Sequence, residues 1–177
     1  MTSRDTGGME LWGAAFYGDP CRDCSFDWSL SPFDAMRWMT QVTARFASTT
    51  QDATGLERLD GWSVAEYVCH VGDNLRQWAE RVQASRLAHA PEVTGYDPDG
   101  LAQARNYAAI PLPVAIWSLR LSAEAWCTVL NDALAEGVVL VHATRGPQTA
   151  SDIARNNTHD AYHHLWDANR ILVRASA

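Results

Sequence analysis

The sequence contains no lysine: all 14 basic residues are arginine, against 21 acidic ones, for a net charge of −7. No stretch gathers those arginines into a basic patch, which argues against nucleic acid as a partner, since phosphates are held by clustered cations. The lysine gap reads as GC-rich coding bias, pointing to a bacterial source, and carries no mechanism. No apolar run approaches the ~18 residues of a membrane span. The polar start, Met1 to Gly8, lacks the apolar stretch of a secretory leader. The expectation is a soluble, cytoplasmic protein with no membrane partner. Four cysteines are too few and too scattered for a secreted disulfide scaffold. Cys69 and Cys127 lie in apolar helical surroundings and read as small core residues.

What is present points to one domain. A chain of 177 residues with 47% apolar content can bury a sizeable core but not two. Eight tryptophans serve that core or line a cleft. Residues 1–30 are punctuated by Gly7, Gly8, Gly13, Gly18 and Pro20 and read as an irregular arm. Its aromatic residues (Trp12, Phe16, Tyr17, Phe26, Trp28) predict that it packs on the domain formed by 31–177.

Four helices follow. Ser31-Pro32 is an N-cap with proline at the first helical position. Phe33, Met36, Met39, Val42 and Phe46 then recur at helical spacing. Ser63 and Glu66 form a capping box ahead of a seam of Val64, Val68, Val71, Leu75, Trp78 and Val82, extending to about Leu87. The proline- and glycine-rich stretch His89–Pro113 is a long connection, with room for a helical turn near Leu101–Tyr107. A third helix covers Val114–Ala135, stopped by Gly137. Val138–His142 is strand-like, Gly146-Pro147 turns the chain, and a fourth helix covers Thr149–Val173. The prediction is an all-α four-helix bundle. Its long crossover connection between the second and third helices would leave those two parallel.

The densest chemistry lies between His159 and Asp167: three histidines and two carboxylates on one helix. Residues four apart share a helical face, so two chelating pairs are available, His159 with His163 and Asp160 with His164. At about 100° per residue, the first pair falls nearly opposite the Ala161, Leu165, Ala168 stripe and the second on its flank. A partner helix is met on the flank, which favours Asp160 and His164; His159 and His163 remain the alternative. His70, one turn after Glu66, is the best third ligand. Its ordinary reading is a surface or hydrogen-bonded side chain, the reading given to His89 and His142. A set of two histidines and a carboxylate leaves open positions on the metal. Cys21 and Cys24 form a lone C-x-x-C, half a zinc site or a redox pair, for which two reduced thiols are the simpler reading.

The run Trp62, Ser63, Glu66, His70 resembles the Trp-Ser-x-x-Glu-x-x-x-His signature of DinB-like proteins. The run His159, Asp160, His163, His164, Asp167 resembles that family's last-helix histidine motif. The resemblance implies a four-helix bundle with a Zn²⁺ or Ni²⁺ site of three ligands, one from the second helix and two from the last. The family's last ligand is commonly followed three residues later by a polar residue. His164 has Asp167 there and His163 has Trp166, so the resemblance also selects His164. A carboxylate at position 160 is similar to the branch of mycothiol-dependent maleylpyruvate isomerase. The implied activity is that of a metal-dependent transferase or isomerase using a low-molecular-weight thiol, the cofactor's own, with an electrophilic substrate. Asp167 or Asp73 would orient a ligand histidine. The alternative is a non-catalytic metal or small-ligand binding protein, stress-related or acting as a dimerisation module, and a homodimer is compatible with either.

Overall fold

The computed structural model describes residues 10–176; the part of the arm before Glu10 lies outside them. Ser31 caps the first bundle helix as its sequence predicts, its Oγ accepting from the Asp34 N–H at 3.1 Å. The single helix expected from Phe33 to Phe46 is two, α2 (Pro32–Met39) and α3 (Val42–Thr49), following a short α1 (Ala14–Tyr17). At the break the Gln41 N–H donates to the Trp38 carbonyl, an i−3 bond that tightens the turn. Ala35, Met39, Val42 and Phe46 still share one buried face. Phe33, two residues and so about 200° from Ala35, is 80% exposed and does not belong to that face.

The capping box at Ser63 forms in full, with the Ser63 N–H donating to Glu66 Oε2 at 2.7 Å. It opens α4 (Val64–Ala88), whose seam residues are all buried. The connection that follows contains β1 (Glu92–Val93), α5 (Pro98–Ala104) and a 3₁₀ turn at Tyr107–Ala109. Next come α6 (Leu112–Glu136), β2 (Val139–His142), β3 (Gly146–Thr149) and α7 (Ala150–Ala175). The sequence places a turn at Gly146-Pro147, yet both residues are in β3. The three-stranded sheet has the order β1-β2-β3, so Pro147 sits on an edge strand, where its missing N–H costs no ladder bond.

Helix directions follow from their contacts. Gly72, early in α4, lies against the Leu119 backbone early in α6, and Arg86 near the end of α4 pairs with Asp132 and Glu136 near the end of α6. These two helices therefore run the same way. The absent side chain of Gly72 lets their backbones meet: a Cβ there would stand 3.4 Å from Leu119 Cα. Helix α7 runs opposite to α4, with His70 across from His164 and Asn74 across from Asp160. Trp126, fully buried on α6, donates through Nε1 to Asn157 Oδ1 of α7 at 2.8 Å. No helix among the described residues is long and apolar enough to cross a membrane.

The arm lies on α7. Cys21, Cys24, Phe26 and Trp28 form a small buried cluster against Tyr162 and Trp166, and Arg155 donates to the Leu30 carbonyl. Before α4, Gly55 has φ +89°, and a Cβ there would meet Leu112 Cβ at 2.7 Å. Gly55→Ala is therefore expected to lose about 2 kcal/mol or more, from left-handed strain plus a contact that backbone movement alone relieves. Its denaturant midpoint against wild type measures the loss.

Candidate metal centre

Antiparallel packing of α4 on α7 brings three sequence-predicted residues together. His70, one turn past the capping box, and Asp160 and His164, one turn apart on α7, place a ligand atom each within 4.8 Å of one another. His70 Nε2 and His164 Nε2 both stand 3.6 Å from Asp160 Oδ1. Metal–ligand bonds of about 2.0–2.2 Å set tetrahedral donors roughly 3.3–3.5 Å apart. The three atoms fit a small divalent cation. Burial opposes ionisation of Asp160, but the His70 and His164 imidazoles overcome it and hold its carboxyl well below the usual carboxylate range. Burial likewise opposes protonation of His164, yet the Asp167 hydrogen bond and the Asp160 charge lift its pKa above the ordinary histidine value.

Neighbours fix the orientation of these donors. Asp167 Oδ2 lies 3.0 Å from His164 Nδ1, leaving Nε2 to face Asp160. Asn74 Nδ2 donates to Asp160 Oδ2 at 2.8 Å, and the Tyr96 hydroxyl donates to Asn74 Oδ1. The orienting role that the resemblance allows for Asp73 is not seen. Its carboxylate is taken by Arg76, Arg105 and the Tyr107 hydroxyl instead. Asn74, one turn beyond His70 on the same face, is the residue sequence reasoning missed. Its i+4 spacing from His70 was the available signal.

The three donors line a cavity of about 640 Å³, in the range of small-molecule sites. Trp12, Tyr17, Trp62 and Tyr96 supply aromatic wall, and Arg81 and Arg145 supply positive charge. Arg145 pairs with Glu10 at 3.1 Å. Arg81 lies over the Trp78 and Tyr96 rings and has no carboxylate partner among the described residues. His142 bonds Thr144, within its ordinary reading, but it is also buried and lines the cavity. Burial and the Arg145 charge push its pKa down, so it is a neutral base at pH 7.

His159 and His163 do not join the three-ligand set. Periodicity places them opposite the apolar stripe, which predicts exposure, but His159 is only 3% exposed. The arm covers that face, laying the Tyr17 and Trp28 rings on His159 at centroid distances of 4.4 and 4.5 Å.

No family model matches the chain, and no curated protein matches it. Among solved structures it shares the fold of YfiT. That protein, from Bacillus subtilis, is described as a probable metal-dependent hydrolase with an unusual four-helix bundle topology. The match has a TM-score of 0.73 and covers 82% of this chain and 87% of YfiT at 16% identity. At that identity the likeness to YfiT concerns the fold.

Proposed function

We propose that the chain is a divalent-metal-dependent enzyme of the DinB-like superfamily that uses a low-molecular-weight thiol of the mycothiol kind. Its action is transfer of that thiol to a small carboxylate-bearing electrophile, or isomerisation of such a compound. One observation carries the reading: two histidines and a carboxylate converge at the wall of an aromatic, arginine-bearing cavity of small-molecule size. Zinc or nickel suits such donors, and a bound cation supplies Lewis acidity that lowers the pKa of a thiol or a water. The rest is done by the chain itself. Asn74 and Asp167 hold Asp160 and His164 in place, Arg81 offers an unpaired guanidinium to a substrate carboxylate, and the aromatic wall excludes water. The nucleophile comes from outside. No cysteine of the chain lines the cavity, and burial pushes Cys69 up to about 12 and Cys127 up to about 11, far from thiolate at neutral pH.

A second reading is hydrolysis, suggested by the description of YfiT and by the neutral His142 imidazole in the same cavity. A third is metal binding without turnover. One assay separates them. Zinc- or nickel-loaded protein is mixed with a carboxylate-bearing electrophile, with and without a small thiol, and with carboxylate esters and amides. Conjugation or isomerisation that requires both metal and thiol is expected. Turnover of the esters or amides with metal alone would replace the proposal by a hydrolase. Stoichiometric metal with no turnover in either arm would leave a binding protein.

A further inference from the structure

We propose that Cys21, Cys24, His159 and His163 hold one structural zinc ion that pins the arm to α7. Its four donors are separate from the three-donor set, and the site does not depend on the function assigned to the cavity, whose wall His159 shares. Two sulfurs and two imidazole nitrogens, one from each residue, lie within 4.8 Å of one another. Cys21 Sγ is 3.8 Å from His163 Nδ1. With Zn–S about 2.3 Å and Zn–N about 2.0 Å, tetrahedral donors are roughly 3.3–3.8 Å apart, so small side-chain rotations close the set. The donors are soft and include no carboxylate, a combination that selects tetrahedral zinc. Their spacing, C-x₂-C on a loop and H-x₃-H on a helix, is that of two-cysteine, two-histidine zinc sites.

Independent features of the four residues point the same way. Both cysteines and His159 are buried, and four protein donors fill a tetrahedral shell in the manner of structural rather than catalytic zinc; of the four, His159 alone also lines the cavity. His159 Nε2 is buried without a hydrogen-bond partner, an exception among native polar groups. His163 Nε2 stands 3.8 Å from Asp167 Oδ2, which places a carboxylate behind the imidazole whose Nδ1 faces Cys21. Carboxylate–histidine–zinc relays have that order. The loop is formed to present both thiols: the Cys21 N–H donates to the Phe26 carbonyl, and the Ser25 N–H donates to the Cys21 carbonyl through a turn with Ser25 at φ +62°. Loading releases two protons: one Zn²⁺ and two thiolates make a neutral centre with two neutral imidazoles, which a buried site requires. The arm so anchored carries Trp12, Phe16 and Tyr17, one wall of the cavity.

The test begins from the full-length His164→Ala variant, which disables the other cluster. Its zinc content after exhaustive dialysis is measured beside that of the same variant carrying Cys21→Ser and Cys24→Ser. One equivalent in the first and none in the second is expected, with equal helical content by circular dichroism. Cobalt substituted into the His164→Ala protein should give the intense visible bands of a tetrahedral site and a thiolate charge-transfer band, and chelation should make the arm cleavable by protease while the bundle persists. Zinc retained without the two thiols would overturn the proposal. So would a cobalt spectrum lacking thiolate bands, a readout independent of whether the serine variants fold. So, too, would a Cys21–Cys24 disulfide in protein purified without oxidant that takes up no zinc when reduced.

Discussion

Replacing His164 with alanine is expected to remove the cation from the cavity and to lower turnover by on the order of 10³-fold or more. The imidazole contributes Nε2 to the three-donor set, 3.6 Å from Asp160 Oδ1, and two donors do not retain a labile divalent ion against buffer. A cation contributes several kcal/mol to a charge-developing transition state, and each 1.4 kcal/mol is tenfold in rate. The fold should hardly notice. Alanine is the best helix former, position 164 lies mid-helix, and Asp167 keeps its bond from Arg170. Metal content and kcat are read together with the thermal midpoint. Wild-type metal content with unchanged kcat would remove His164 from the site.

The largest loss of stability is expected at Trp126. Truncation to alanine empties the biggest fully buried side chain and leaves Asn157 Oδ1 without its donor. Such core truncations cost about 3–5 kcal/mol, and an orphaned buried acceptor adds about 1–3 kcal/mol. For a chain of this size each kcal/mol lowers Tm by roughly 2–4 °C, so a fall of more than about 10 °C is expected by calorimetry. Phenylalanine at the same position refills most of the volume but not the hydrogen bond, and the difference between the two variants isolates the ring. Asn157 lies three residues before Asp160, so loosening it is also expected to free the stretch of α7 that carries Asp160. A shift of only a few degrees for Trp126→Ala would mean that α6 and α7 are held elsewhere.

Much of this architecture can be read locally. Ser63 with Glu66 announces α4, and the buried seam from Val64 to Val82 needs nothing beyond its own spacing. His70, Asp160 and His164 are likewise legible, because a helix flank is where a neighbouring helix is met. What could not be read depends on contacts distant in sequence. His159 sits on the polar side of α7 by periodicity, yet an irregular segment more than a hundred residues earlier folds over it. Pairing of the lone C-x-x-C with that helix is hidden for the same reason. His142 enters the cavity only because β1 and β3 pair with β2, and two short strands leave little periodicity to detect. The break at Thr40-Gln41 escaped because both halves present the same apolar face.

Asp167 has a place of its own in this arrangement. One of its oxygens faces His164 Nδ1 at 3.0 Å and His163 Nε2 at 3.8 Å, and the other takes Arg170. A single carboxylate thus backs an imidazole of the cavity and an imidazole of the arm's anchor. Substituting Asp167 is therefore expected to disturb both clusters at once, whereas a change at any one of the other donors falls on a single cluster.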